Sequence, residues 1–304
     1  MITWQRLDVI FLLLPYNIMR FTSMNLGPKG AWSSRGAHAR SSRDTYAQSP
    51  RIPPAVQILQ AVDGPQKHYD LIMLVIANRS NIYTPLINQY WKRMIDATEK
   101  GGYSLKIFLL FGGDPRPTIT IPSDSLIISN TQESLIPGIF LKTMYAFDHI
   151  SKNYTYNHVL RTNVSSFFRL TNLMALQRTL PLARFSGGFT GDSRRDTGLF
   201  INGAGIWLSA DVVDAFLSAD KGTLKYHIPD DVAIGVFVRS RFTVQTLPRL
   251  EPIAQHAVNF PHPPEHVLGI LTSQMGDHYH VRCKHLGDRT RDLPILMGLM
   301  DRFN

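Results

Sequence analysis

The sequence contains a single cysteine, Cys283, among its 304 residues. An intramolecular disulfide therefore cannot form, and a structural zinc site built on several thiolates is excluded as well. With 44% hydrophobic and 18% charged residues, the chain has enough apolar surface to fold around an ordinary core. One large domain, with or without a tail, is expected for this length.

The chain also lacks an uninterrupted apolar run of the roughly 20 residues that a membrane-spanning helix needs. The nearest approach is residues 7–19, LDVIFLLLPYNIM, which Asp8, Pro15 and Asn17 interrupt. Three interpretations of residues 1–22 stay open: a weak signal anchor, the core of a signal peptide, or an apolar segment that packs on the domain. Contact with a membrane is expected only through residues 1–22, if they form an anchor.

Acidic residues are scarce between residues 23 and 55, where five lysines and arginines accompany one aspartate. This stretch is rich in Ser, Gly, Arg and Pro and has neither a helical nor a strand period, so we predict a flexible basic stem or linker. Much of the formal net charge of +9 therefore belongs to this segment. Net charge alone then says little about nucleic-acid binding, and no nucleic-acid partner is expected.

From residue 56 onward, apolar runs alternate with amphipathic segments. Residues 69–80, 104–113 and 124–130 contain continuous apolar runs that are typical of strands buried on both faces. Apolar residues at helical spacing follow the first run and recur at 133–151, before a fourth strand that begins near residue 157. This order predicts an α/β domain over residues 56–304, with a mostly parallel central sheet flanked by helices.

Ligands of such sheets bind beyond the carboxyl ends of the strands. Three polar segments fall at these ends, namely Asn78-Arg79-Ser80, Gly112-Gly113-Asp114 and Arg161–Ser166. The third belongs to NHVLRTNVSSFF, in which a buried strand gives way to small uncharged polar groups beside one arginine. All three segments are therefore candidates for binding a ligand.

Two later segments carry further candidates. Gly203 and Gly205 lie in a short apolar stretch and permit close backbone approach to a ligand, and a tight strand bend is the alternative explanation. Asp230 and Asp231 begin an apolar helix, where the helix dipole favours carboxylates. A cap accounts for one aspartate, and the other can serve as a general base if it faces a substrate.

Basic residues recur at alternate positions near the C-terminus: His278, His280, Arg282 and Lys284. Alternation would place all four on one side of a strand. Such a face fits a diphosphate, and a solvated strand edge protected against aggregation is the alternative. A metal site at His278 and His280 would lack the carboxylate or cysteine cluster that usually completes one.

Four of these segments occur in an order that resembles glycosyltransferase family 31, the β-1,3-galactosyltransferase and Fringe-like group. They are a helix with Glu133-Ser134-Leu135 and Leu141-Lys142-Thr143, a strand ending Leu160-Arg161-Thr162-Asn163, the stretch Gly203-Ala204-Gly205 with Leu208-Ser209, and Asp230-Asp231-Val232-Ala233-Ile234-Gly235. The resemblance covers residues 69–240 and implies the Rossmann-like fold of nucleotide-sugar transferases.

The resemblance also implies an activity and a site. The chain would be an inverting glycosyltransferase that moves a hexose or N-acetylhexosamine from a nucleotide-diphosphate sugar, a UDP-sugar being favoured, to a hydroxyl of a glycan or glycoprotein. Asp230 or Asp231 would be the base, and Trp207 would stack on a sugar near Gly203 and Gly205. The donor would be bordered by Asn78, Arg79, Ser80, Gly113, Asp114, Arg161, Asn163 and Ser165.

The chain departs from the family where a metal ion is expected. Asn163, Val164 and Ser165 stand in place of three aspartates, and neither an amide nor a hydroxyl replaces the charge of a carboxylate ligand. The usual manganese cofactor is therefore in doubt. Either protein cations neutralise the diphosphate, namely Arg161 with His278, His280, Arg282 and Lys284, or the domain binds nucleotide sugars or carbohydrates without catalysis.

Localisation stays open. Members of the family are commonly Golgi proteins with an anchor and a stem, and residues 1–55 resemble that layout. A cytoplasmic location is the alternative, because a single cysteine is equally compatible with it.

Overall fold

The structure of the protein is a computed structural model that describes residues 66–113, 118–193, 198–249, 263–283 and 289–304. The expectations for residues 1–22 and 23–55 lie outside these ranges, and so do Asp114 and Lys284. Across the five described ranges, no helix combines the length and the apolar character needed to cross a bilayer.

Nine strands and seven α-helices are found in the described ranges. The strands are β1 (Lys67–Ile76), β2 (Leu105–Gly112), β3 (Leu126–Ser129), β4 (Tyr154–Asn163), β5 (Ser166–Phe168), β6 (Phe185–Ser193), β7 (Gly198–Ser209), β8 (Thr243–Thr246) and β9 (His280–Arg282). The helices are α1 (Lys92–Lys100), α2 (Gly138–Asn153), α3 (Leu170–Gln177), α4 (Ala210–Leu217), α5 (Asp230–Arg239), α6 (Pro264–Gln274) and α7 (Asp292–Phe303). A π-helical turn, Leu86–Trp91, leads into α1.

Seven strands form one central sheet in the order β3-β2-β1-β4-β7-β6-β8. Strands β1 to β4 are mutually parallel, β7 is antiparallel to both β4 and β6, and β8 is parallel to β6. The predicted mostly parallel α/β sheet is therefore confirmed. The fourth strand begins earlier than expected, because Tyr154 already pairs with Lys67 of β1.

Both faces of the sheet are covered by helices, which explains the continuous apolar runs of β1 and β2. Alternate residues of β1 enter two separate clusters, with Leu71, Met73 and Val75 in one and Ile72, Leu74 and Ile76 in the other. The first cluster includes residues of α1, α3, α6 and α7, and the second includes residues of α2, α4 and α5. The apolar side chains of β1 thus alternate between the two faces of the sheet.

A second, two-stranded sheet joins β5 to β9 in antiparallel register, with Ser166 opposite Arg282. Because β5 follows β4 after a two-residue turn, this pairing brings Arg282 beside the segment Arg161–Ser166. The predicted basic strand over 278–284 is longer than the observed one. His278 lies before β9 in a turn, where Gly276 has φ of +35° and His278 N donates to Met275 O at 2.7 Å.

Candidate functional site

A cavity of about 680 Å³ opens at the carboxyl ends of β1 and β4. Its size is typical of small-molecule sites, and its position is where ligands of parallel sheets bind. The residues that line it come from the segments after β1 and β4, from the start of α2 and from the C-terminal region: Ile76, Ala77, Asn78, Arg79, Ser80, Tyr83, Glu133, Ser134, Leu135, Ile139, Lys142, Asn163, Val164, Ser165, Arg282 and Arg289.

The first wall of the cavity is the turn that ends β1. Asn78 Oδ1 accepts a hydrogen bond from Ser80 N at 2.9 Å, so the asparagine side chain closes the turn locally. The guanidinium of Arg79 extends toward the end of β2, where a Cβ built on Gly113 would lie 3.4 Å from Arg79 Nη2. Gly113 has φ of +75°, a conformation that favours glycine.

The second wall is the polar turn that follows β4. Asn163 Oδ1 accepts hydrogen bonds from Ser165 N at 3.2 Å, from Ser165 Oγ at 2.9 Å and from Ser166 Oγ at 3.3 Å. A backbone N–H can only donate, so this contact identifies the accepting atom as the amide oxygen. The amide nitrogen, a donor of two hydrogens, is then the group that Asn163 offers to the cavity.

Carbonyl groups of the same turn are bound by the protein itself. Val164 O accepts from Trp91 Nε1 at 3.0 Å, Ser165 O accepts from Cys283 N at 2.8 Å, and Ser166 O accepts from Tyr90 Oη at 3.0 Å. Burial raises the pKa of Tyr90 well above its usual 10.0, which keeps its hydroxyl a donor. Three hydrogen bonds from other parts of the chain therefore fix the turn, and they occupy the carbonyl oxygens of residues 164–166.

This arrangement does not fit a divalent metal ion. Manganese or magnesium would need anionic oxygen ligands, whereas the turn has no carboxylate and its amide and carbonyl oxygens already accept hydrogen bonds. Among the residues that the structure describes, no group of three His, Cys, Asp or Glu side chains converges anywhere.

Arg161 and Asp230 form a buried ion pair behind the cavity. Their side chains are 4% and 7% exposed, and Arg161 also donates to Gly203 O, so one guanidinium joins β4, β7 and α5. Burial raises the pKa of Asp230, and the positive charge of Arg161 opposes that shift. Arg161 does not line the cavity, because its charge is committed to the protein interior.

Asp231 is the more accessible of the two aspartates. Its carboxylate accepts hydrogen bonds from Gly203 N at 3.1 Å and from Val232 N at 2.9 Å. A Cβ on Gly203 would lie 3.1 Å from Asp231 Oδ2 and 2.6 Å from Arg161 Nη1, so a glycine is required between these two side chains. Asp231 does not line the cavity itself, but its partner Gly203 directly follows Asn202, whose amide oxygen binds the cavity-lining Arg282.

Two arginines from the C-terminal region line the cavity together. Arg282 Nη1 donates to Asn202 Oδ1 at 2.9 Å, and Arg249 shares that oxygen at 3.2 Å. Arg289 pairs with Asp292 at 2.8 Å and lies over the ring of Tyr83 at 5.5 Å. Burial lowers the pKa of Arg282, and the neighbouring charge of Arg289 lowers it further.

Sequence reasoning missed the buried pair Lys142–Glu133. Lys142 Nζ donates to Ala77 O at 2.6 Å and to Glu133 Oε2 at 2.8 Å, while Glu133 Oε1 accepts from Gly112 N at 2.6 Å. Burial lowers the pKa of Lys142, and Glu133 opposes the shift. The available signal was a lysine on the apolar side of α2, which is costly to bury without a carboxylate partner.

Several predicted site residues lie away from the cavity. Trp207 is 0% exposed within the core, so its indole offers no surface on which a sugar can stack. His280 is 1% exposed and stacks on Phe168 at 4.4 Å, and burial with nearby Arg249 and Arg282 lowers its pKa well below 6.5. His278 O accepts from Asn172 Nδ2 at 3.2 Å, on another part of the surface.

Of the four predicted phosphate-binding residues, Arg282 alone lines the cavity in the described part of the chain. His280 lies outside the cavity because its ring faces β7, where a Cβ on Gly205 would lie 3.1 Å from it, and is buried there. The predicted donor-binding residues Asn78, Arg79, Ser80, Asn163 and Ser165 do line the cavity. Their binding of a nucleotide sugar stays a prediction.

No protein-family model and no curated protein sequence matches this chain. Several solved structures that resemble it are glycosyltransferases. The galactosyltransferase LgtC, in complex with donor and acceptor sugar analogues, is 8% identical with a TM-score of 0.45, covering 74% of this chain and 95% of that one. The catalytic domain of Drosophila β1,4-galactosyltransferase 7 with xylobiose is 12% identical with a TM-score of 0.36, covering 59% and 64%.

A glycosyltransferase involved in glycosylation of the major capsid of PBCV-1 is 13% identical to this chain. Its TM-score is 0.42, covering 75% of this chain and 98% of that one. Similarities of this size carry no information about substrate, and membership of glycosyltransferase family 31 stays a prediction. The case for a function rests on the residues of the cavity.

Proposed function

We propose that the chain is an inverting glycosyltransferase that takes a hexose or N-acetylhexosamine from a UDP-sugar and transfers it to a hydroxyl of a glycan or glycoprotein. The observation that carries the proposal is a cation-lined cavity at the carboxyl ends of β1 and β4, together with the carboxylate of Asp231, which is bonded to Gly203 next to the Asn202 that holds Arg282. A diphosphate leaving group needs positive charge, and the attacking hydroxyl needs a base. The arginines of the cavity and the carboxylate of Asp231 are the groups of this chain that would supply them.

Asp231 is the base in this mechanism. Asp230 is committed to Arg161 in a buried ion pair, whereas Asp231 is only partly buried and its carboxylate is bonded to backbone N–H groups alone. As the acceptor oxygen attacks the anomeric carbon, Asp231 takes its proton and the bond to the diphosphate breaks on the opposite side. One displacement of this kind inverts the configuration at that carbon.

The test is consumption of UDP-sugars by the full chain, measured as release of UDP, with and without glycan acceptors. Asp231→Asn should lower kcat by about 100-fold or more, because the base is removed while the side chain keeps its shape. Asp277→Asn is the matched control, since Asp277 is exposed in the turn between α6 and β9. Equal turnover by the Asp231→Asn variant and the wild type, or no consumption of any UDP-sugar, would overturn the proposal.

A second candidate is a domain that binds a nucleotide sugar or carbohydrate without catalysis. The observation that favours it is the turn at 163–166, which presents an amide donor where the resembling family has carboxylates. Such a domain would bind UDP-sugars and release no UDP, and Asp231→Asn would leave its affinity unchanged. Slow hydrolysis that disappears with Asp231→Asn would exclude it.

A further inference from the structure

We propose that the cavity holds a diphosphate with guanidinium groups, chiefly those of Arg282 and Arg289, and does so without a divalent metal ion. The identification of the diphosphate as part of a nucleotide-sugar donor rests on the proposed function. The binding chemistry itself does not, because it follows from the charges and hydrogen-bond donors that surround the cavity.

The charges that line the cavity are mostly positive. Four cations, Arg79, Lys142, Arg282 and Arg289, are accompanied by the single carboxylate of Glu133 among the described lining residues. The Glu133 carboxylate accepts hydrogen bonds from Lys142 Nζ and from Gly112 N, so Lys142 compensates its negative charge. Arg289 is paired with Asp292, whereas Arg282 is bonded to the neutral amide of Asn202, so these two arginines keep a net positive charge. A planar guanidinium suits phosphate oxygens in a two-point contact.

Arg282 and Arg289 are like charges held near one another. The hydrogen-bond partner of Arg282 is the neutral amide oxygen of Asn202, and the partner of Arg289 is Asp292, which is 0% exposed beneath it. Both arginines line the same cavity, so their positive charges repel each other across it. An anion between the two guanidinium groups would reduce this repulsion.

The turn after β4, like the two arginines, offers a hydrogen-bond donor to a ligand. Its amide oxygen and its carbonyl oxygens are bonded internally, which leaves the Nδ2 group of Asn163 as a donor toward the cavity. A metal site needs acceptors at this position, whereas an anion site needs donors. The turn and the two arginines thus favour the same ligand, and Asn163→Asp would reverse the polarity of the turn without removing the oxygen that closes it.

The experiment is calorimetric titration of the full chain with inorganic pyrophosphate, once with a chelator and once with manganese. We expect the wild type to bind with similar affinity in both conditions. Arg282→Gln should weaken binding by about tenfold or more, since a charge-assisted contact is lost while glutamine can still donate to Asn202. Arg178→Gln, at an exposed position at the end of α3, is the matched control and should bind like the wild type.

Asn163→Asp provides an independent variant, which should bind pyrophosphate more weakly with the chelator and recover part of the loss with manganese. Wild-type binding that requires manganese, no wild-type binding in either condition, or unchanged binding by both Arg282→Gln and Asn163→Asp would overturn the proposal. Pyrophosphate binding as expected without UDP release would instead refute the transferase and leave the diphosphate site standing. UDP release that depends on manganese would instead support the transferase and refute the metal-free diphosphate site.

Discussion

Arg161 and Asp230 are 69 positions apart in the sequence and form an ion pair that is almost fully buried. The pair joins the end of β4 to the first turn of α5, and α5 carries Asp231 in the next position. The contact therefore sets where the proposed base lies relative to β4. A single buried ion pair thus links the stability of the fold to the geometry of the site.

Replacing one partner of this pair should destabilise the protein strongly. Arg161→Met leaves the buried carboxylate of Asp230 without its counter-charge, and we expect a loss of about 3–5 kcal/mol in the free energy of unfolding. Urea unfolding followed by circular dichroism measures it. The double variant with Arg161→Met and Asp230→Asn should recover part of the loss, because no buried charge remains. A double variant as unstable as the sum of both single ones would show that the two residues do not interact.

Gly203 should not tolerate a side chain. Alanine there would place a methyl group 2.6 Å from Arg161 Nη1 and 3.1 Å from Asp231 Oδ2, so one of them must move. We expect Gly203→Ala to cost about 1–3 kcal/mol of stability and to lower kcat more than it changes KM. Thermal unfolding and UDP-release kinetics measure the two effects.

Gly269→Ala is the control for that substitution. Gly269 lies within α6, and a Cβ built there meets nothing within 4 Å. Alanine should therefore raise stability by roughly 0.5–1 kcal/mol, as expected for replacing glycine inside a helix. If both variants changed stability equally, the crowding around Gly203 would not be the cause.

Much of the fold could be predicted because the buried strands are continuous apolar runs. The run at 69–80 contains all but the first two residues of β1, and the run at 104–113 contains β2. The polar segments after β1 and β4 line the cavity, as their positions indicate. The antiparallel insertion of β7 was not predictable from such runs, since apolar character does not encode strand direction. It depends instead on pairing between residues distant in sequence, such as Arg161 with Ile206.

Local alternation misled the interpretation of the C-terminal basic residues. Positions 278 and 280 alternate in sequence, but the turn at Gly276 and the pairing with β5 confine the strand to His280–Arg282. The convergence of Lys142 and Arg289 on one cavity joins α2 to a segment more than a hundred positions later, which no local pattern records.

His280 should make the protein less stable in mild acid. Burial, and then the charges of Arg249 and Arg282, lower its pKa well below 6.5 in the folded state, so the unfolded chain binds the proton more readily. The folded state is therefore favoured above pH 6.5 and loses stability as the pH falls from 6.5 toward the lowered pKa. Each such histidine contributes about 1.4 kcal/mol per pH unit within that window.

The measurement is urea unfolding of the wild type and of His280→Phe at several pH values from 8 to 5. Phenylalanine can keep the stacking on Phe168, and it removes the titrating group, so the variant should show a shallower loss of stability below pH 6.5. Between pH 8 and about pH 7, the difference in the free energy of unfolding between the two proteins should not change with pH. Parallel curves over the whole range would exclude His280 as a source of the acid sensitivity.

Lys142 and Glu133 should contribute to stability as a coupled pair, because together they bond Ala77 O after β1 and Gly112 N of β2. Glu133→Gln would remove the counter-charge of the Lys142 ammonium, whose side chain is 2% exposed, and would leave one accepting oxygen for two donors, Lys142 Nζ and Gly112 N. Glu133 is itself 19% exposed, so we expect a moderate loss of about 1–3 kcal/mol. Lys142→Met should cost a similar amount, because Ala77 O and Glu133 each lose a donor.

The double variant should lose clearly less stability than the sum of the losses of the two single variants, as a double-mutant cycle of unfolding free energies would show. Additive costs would mean that the 2.8 Å contact contributes nothing to holding these strand ends together.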